Sequence, residues 1–285
     1  MDGTIGDGWS EAFAPASVGN VAVGFDLMGH ALIGPGDIVR VRRTAEPGVQ
    51  IAKVGGVVPD LPLDSGRNTA GAALMAMCAG LESAQGFEVE IEKGIALGSG
   101  MGGSGASAAA AVFAANALLD DSLELEALLP FALAGEAAAT GAPCVDNVAP
   151  ALAGGLVFVP PGEPRRIVRI RVPESLWCAV VRPELVIETR ATRAVLEAPW
   201  GLDAIVGQTA RLAGVRRSMR AATRSGWGLG RNAWMAGPSP PSSGARSAIS
   251  APRSAILRVA IWSNNARSRP SATWIRLERA NTHLP

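Results

Sequence analysis

At 285 residues, 48% of them hydrophobic and with a net charge of +1, the chain can bury one large core or two modest ones and is too apolar to be disordered. Three cysteines far apart in sequence (Cys78, Cys144, Cys178) and only two histidines (His30, His283) exclude a disulfide scaffold and a zinc site, and leave little room for a Ser-His-Asp or Cys-His hydrolase. The net charge hides an asymmetry: residues 216–285 hold twelve Arg and one acid, Glu278, for a sum of +11, whereas residues 1–215 sum to −10.

In chain order, Met1 to Gly8 is polar and acidic, without the basic start and apolar run of a signal or transit peptide, which points to a cytoplasmic product. His30, behind a glycine in an apolar segment, reads as a core residue. Asp37 to Arg42 alternates apolar and polar side chains, the period of a half-buried strand. Thr69 to Leu81 reads as a helix, and Phe87 to Glu92 as a second strand with Phe87, Val89 and Ile91 on one face and Glu88, Glu90 and Glu92 on the other. Ser104 to Leu119 and Leu123 to Thr140 are helical, the latter with a kink expected at Pro130. The longest apolar run, Ala106 to Leu119, contains Asn116 and falls short of the roughly 20 residues that cross a bilayer, so no membrane span is expected. Ile167 to Val172 alternates again, and Leu176 to Val181 is a short apolar run of the kind buried on both faces. The class is α+β.

Residues 216–285 differ in kind. They hold eleven Ser, six Pro and four of the seven Trp but no Phe and no Lys, with no sustained helical or strand period. A nucleic-acid-binding arm would use Arg on phosphate and Trp on bases. Out-of-frame translation of GC-rich coding sequence beginning near Val215 accounts better for a patternless mixture of Arg, Ser, Pro and Trp, and no nucleic-acid partner is expected.

The segment from Gly94 to Ser107 (Gly-Ile-Ala-Leu-Gly-Ser-Gly-Met-Gly-Gly-Ser-Gly-Ala-Ser) follows a strand and opens an alanine-rich helix. Its glycines let backbone approach an anion without a Cβ in the way, and the helix start presents unpaired N–H groups and a positive dipole end. It reads as a phosphate cradle, against the plainer reading of a strand-to-helix turn. A Walker A loop would need Gly-Lys-Ser/Thr, and the only lysines are Lys53 and Lys93. Gly98, Gly100 and Gly103 satisfy GxGxxG, but the helix runs straight into Asp120-Asp121 and leaves no room for the second strand of a dinucleotide fold.

The same stretch resembles the second motif of the GHMP small-molecule kinases, usually Pro-x-Gly-Ser-Gly-Leu-Gly-Ser-Ser-Ala, with Ala96 in place of the proline and Gly103 in place of the first paired serine. Three further segments are similar to the homoserine kinase family within that superfamily: Phe13 to Asp26, Asp146 to Gly155, and Glu188 to Arg193. The resemblance covers roughly Phe13 to Val215. It implies a two-lobed GHMP kinase fold, with a ribosomal protein S5 domain 2-like ATP-binding lobe over 1–164, the start of a ferredoxin-like lobe over 165–215, and the atypical tail over 216–285. It implies ATP-dependent phosphorylation of the L-homoserine hydroxyl with Mg2+, on the way to threonine. Ser104 and Glu136 of Gly135-Glu136 would hold the magnesium. Asn68, Thr69, Leu97, Gly98, Ser99, Gly100, Met101, Gly102, Gly103, Ser104, Gly105 and Ala106 would bind ATP. Asn20, Asp26, Asp146 and Arg193 would bind the amino acid, Arg193 through its carboxylate, and Asp146 with Asn147 would form the catalytic set. Cys144 stands where the family commonly has histidine. The family's later Glu-Pro-x-Arg segment and its Ser-Gly-Ala-Gly-Pro motif have no counterpart; Ser242 to Arg246 is a superficial echo with Arg where Gly is needed. The alternatives are an impaired kinase remnant that retains nucleotide binding, and a superfamily kinase acting on a sugar or a mevalonate-like alcohol. The resemblance allows a homodimer.

Overall fold

The computed structural model describes residues 4–5, 8–82, 86–162, 165–172, 176–181, 199–225, 258–263 and 274–276. Within them the elements are β1 (Thr4–Ile5), β2 (Trp9–Gly19), β3 (Met28–Thr44), β4 (Gly48–Gly56), α1 (Thr69–Gly80), β5 (Gly86–Lys93), α2 (Gly103–Asn116), α3 (Leu125–Thr140), α4 (Val145–Ala153), β6 (Leu156–Phe158), β7 (Val168–Ile170), β8 (Leu176–Val181), α5 (Leu202–Ser225), β9 (Arg258–Ser263) and β10 (Trp274–Arg276). The mixed α+β class is the one expected.

The main sheet runs β1-β2-β3-β5-β4, with β6 and β7 continuing from the first part of β3. Period-two alternation gives it two unlike faces. Val39, Val41, Phe87, Val89 and Ile91 are buried against the helices. On the other face the cross-strand neighbours Glu11, Arg40 and Glu90 form ion pairs, and Arg42 bonds Glu88 while lying 4.8 Å from the Trp9 ring centroid. β4 joins β5 in parallel; the other pairings of this sheet are antiparallel.

α1, α2 and α3 pack together over the inner face. α2 is buried along almost its whole length from Gly105 to Asn116, and its mostly alanine side chains let neighbouring helices approach closely. Gly135 of α3 marks the tightest point, where an added Cβ would stand 2.4 Å from the Thr69 carbonyl oxygen, 2.7 Å from Ala73 Cβ and 3.0 Å from Ala108 Cβ. α3 continues through Pro130.

α4, α5, β9 and β10 are among the elements that lie where the sequence reading placed none. α4 contains Pro150, which forbids one helical hydrogen bond and so conceals a nine-residue helix. α5 spans the boundary expected at Val215, while β9 and β10 pair antiparallel with the two edges of β8. Backbone pairing with an apolar strand does not need the side-chain period that the sequence reading sought in this segment.

Candidate functional site

The glycine segment forms the link from β5 to α2. Gly98, Gly100 and Gly102 have φ of 61°, 68° and 64°, a left-handed conformation that glycine adopts at little cost. Gly102 caps α2 without any side-chain hydrogen bond, so Ser104 lies in the first turn rather than at the cap. The first-turn amides are thereby left to an external acceptor. A Cβ at Gly100 would meet nothing within 4 Å, whereas one at Gly102 would stand 2.2 Å from Ser17 Oγ and 3.1 Å from Asn147 Oδ1. The Ser17 amide donates to the Met101 carbonyl at 3.0 Å, and Ser99 Oγ accepts from the Met101 amide at 3.4 Å. Leu97 is exposed at the loop's outer edge.

Glu136 reaches this helix start from α3. It is 2% exposed, and its Oε2 has no hydrogen-bond partner. Burial pushes its carboxyl up to about 7; a hydrogen bond from Ser104 opposes the shift, the Asp146 charge adds to it, and the Lys93 charge opposes it. A buried carboxylate oxygen without a partner, beside the Ser104 hydroxyl, offers oxygen ligands that fit a hard divalent cation, and the helix start next to them directs N–H groups that suit an anion.

The other wall is the turn from β2 to β3. Asn20, Val21, Ala22 and Asp26 all have positive φ, at 66°, 39°, 61° and 55°, which is costly for side chains other than Asn and Asp and persists only where neighbours impose it. Asp146 Oδ2 accepts from the Asn20 amide at 2.9 Å, and Asn20 Oδ1 accepts from the Asp26 amide at 3.1 Å. Gly19 has no side chain where a Cβ would fall 2.2 Å from Asp146 Oδ2. Asn147 Oδ1 accepts from Ser17 Oγ at 3.3 Å. Successive residues of α4 thus serve different neighbours: Asp146 holds the turn at Asn20, and Asn147 holds Ser17 of β2, whose amide bonds Met101 of the glycine loop. From α5, Gln208 Nε2 donates to the Val23 carbonyl at 2.6 Å.

Of the residues singled out from sequence, Leu97 to Ala106, Glu136, Asp146, Asn147 and Asn20 converge here, and Asp26 lies in the same turn. Asn68 is committed to α1: its Oδ1 accepts from the Ala70 amide at 3.0 Å and its Nδ2 donates to the Pro62 carbonyl at 2.9 Å. Thr69 opens that helix. Arg193 and the Ser242–Arg246 echo lie outside the described residues. Cys144 is buried at the start of α4. The sequence reading missed Ser17, and it missed Asp37 and Lys93, whose strand alternation puts both on the core-facing side with Val39, Val41, Val89 and Ile91. His30 is buried and neutral in tendency, its pKa lowered by burial, with Nε2 3.8 Å from Cys178 Sγ. No helix among the described residues is long and apolar enough to cross a membrane.

Residues 68–155 match the family model for the GHMP kinases N terminal domain. Homoserine kinase of Xanthomonas campestris pv. campestris is 52% identical over 204 residues, which are 72% of this chain and 62% of that protein. Homoserine kinase of Xylella fastidiosa is 50% identical over the same shares. The chain therefore spans 62% of the length of these curated relatives. The crystal structure of homoserine kinase from Cytophaga hutchinsonii superposes with a TM-score of 0.69 at 37% identity, covering 74% of this chain and 67% of that one. L. major mevalonate kinase in complex with R-mevalonate, at 17% identity and a TM-score of 0.56 over 75% of this chain and 70% of that one, shares the fold.

Proposed function

The chain belongs to the homoserine kinase family of the GHMP kinases, and from that premise we propose that it transfers the γ-phosphoryl group of ATP to the side-chain hydroxyl of L-homoserine. The observation that carries this reading is the orphaned Glu136 Oε2, buried beside the open first turn of α2 and facing a second loop organised by Asp146.

Phosphoryl transfer asks for alignment and charge neutralisation more than for covalent chemistry. The amides at the α2 start and the glycine loop bind the phosphates. Ser104 and Glu136 would hold Mg2+, which when bound would neutralise charge developing on the transferred group. Asn20 and Asp26 bind the amino-acid end, Arg193 clamps its carboxylate, and Asp146 orients the hydroxyl in line with the γ-phosphorus. Asn147 couples the two loops through Ser17. A cytoplasmic location and a homodimer accompany this reading.

The test is ADP formation by the purified chain with ATP, Mg2+ and L-homoserine, beside a version whose reading frame is restored after Val215. ADP that depends on both L-homoserine and Mg2+ supports the proposal. Turnover by the restored version alone assigns this chain the role of nucleotide-binding remnant. Faster turnover of galactose or mevalonate, or none of any alcohol by either version, refutes the L-homoserine assignment.

A further inference from the structure

Lys93 at the end of β5 and Asp37 on β3 form an ion pair in the core, with side chains 3% and 0% exposed. Burial lowers the lysine pKa and the Asp37 charge raises it again. Withdrawing two charges from water offsets most of their attraction, and apolar pairs of similar size often replace such bridges without loss of stability. What this pair does uniquely is hold both stems of the glycine loop. Asp37 Oδ1 accepts from the amides of Gly94 at 3.0 Å and Ile95 at 3.2 Å, where the loop leaves β5. Lys93 Nζ donates to the Gly103 carbonyl at 2.8 Å, where the loop enters α2. Ser107 closes the ring: its Oγ accepts from Lys93 at 2.8 Å and donates to Asp37 Oδ2 at 2.7 Å.

We infer that Lys93, Asp37 and Ser107 are positioning residues that set the distance between the two stems and so aim the first-turn amides of α2 at the nucleotide phosphates. The inference rests on reading residues 94–103 as a nucleotide cradle. Glycines at positive φ leave the loop many conformations, and fixing both ends removes part of the ordering that ATP binding would otherwise have to supply.

The experiment measures ATP and L-homoserine affinities by calorimetry, and thermal midpoints, for the full chain and for the double variant Lys93→Met with Asp37→Asn. The expected result is ATP binding weakened about tenfold with L-homoserine affinity and the midpoint little changed, as loss of preorganisation in one loop requires. Unchanged ATP affinity overturns the inference, as does a parallel loss of both ligands in step with the midpoint. Ser107→Ala removes only the bridging hydroxyl; it is expected to weaken ATP about threefold, and no change would overturn the inference even if the double variant does not fold. Failure of the unsubstituted chain to bind ATP refutes the nucleotide reading itself, which separates that failure from failure of the stem ring.

Discussion

Two loops face each other across the site, and they reach left-handed backbone by opposite means. The β5–α2 loop uses glycines at 98, 100 and 102, so its shape costs little and its amides stay open. The β2–β3 turn puts Asn20, Val21, Ala22 and Asp26 into the same region, at a cost of about 1–2 kcal/mol for a residue such as alanine, and holds them there through Asp146 and Asn20. On the proposed reading the difference follows from the ligand: a loop that meets phosphate with its backbone can dispense with side chains, and one that meets an amino acid with side chains must keep them and accept strain.

Glu136→Gln presses hardest on the first loop. It is expected to lower kcat by about 100-fold or more in a Mg2+-dependent ADP assay, by removing charge stabilisation around the transferred group. It should also stabilise the ligand-free fold. Folded Glu136 titrates near 7 against 4.5 when exposed, so the folded chain holds the extra proton between those values. Without divalent cation, stability then falls as pH rises from about 4.5 through 7, and the Gln variant should flatten that slope in denaturant titrations. Next comes Gly102→Ala, whose Cβ would collide with Ser17 Oγ; ATP affinity should fall about tenfold or more, whereas Gly100→Ala meets open space and should cost only the strain of about 1 kcal/mol. Asn20→Ala acts on the opposite loop alone: L-homoserine affinity should weaken about tenfold while ATP binding is retained, and equal losses for both ligands would dissolve the distinction between the loops. The smallest change is Ala22→Gly at an exposed position, expected to raise stability by about 0.5–1 kcal/mol through relief of positive φ. A loss there would show that Ala22 is not strained.

The glycine loop, α1 to α3 and the strands around Val39 and Val89 were legible because each has a strong local signal: glycine spacing, a run of helix-forming residues, or alternation. The β2–β3 turn was legible only as a motif, since nothing local in Asn20-Val21-Ala22 announces positive φ; the Asp146 carboxylate that imposes it lies more than a hundred residues away. α4 was hidden by Pro150. Asp37 and Lys93 could have been found, because strict alternation places them in the buried register and a charge there requires a partner on a neighbouring strand. Reading Lys93 only as a failed Walker lysine overlooked its parity. In residues 216–285, β9 and β10 depend on the edges of β8, a pairing that the segment's own composition does not encode.

The alanine helix α2 has a consequence for which exchanges the chain tolerates. Where Gly135 lets α3 close onto Ala108 the packing is tight, and enlarging Ala108 should cost about 1–3 kcal/mol. On the proposed reading, the side of the site that takes the nucleotide rests on this close helix packing. The turn at Asn20, between β2 and β3, exposes Ala22 and Phe25, whereas its Val21 and Val23 are buried with Met28 and Leu156. On the same reading, exchanges at Ala22 and Phe25 should alter which alcohol is accepted while leaving the packing around Ala108 and Gly135 untouched.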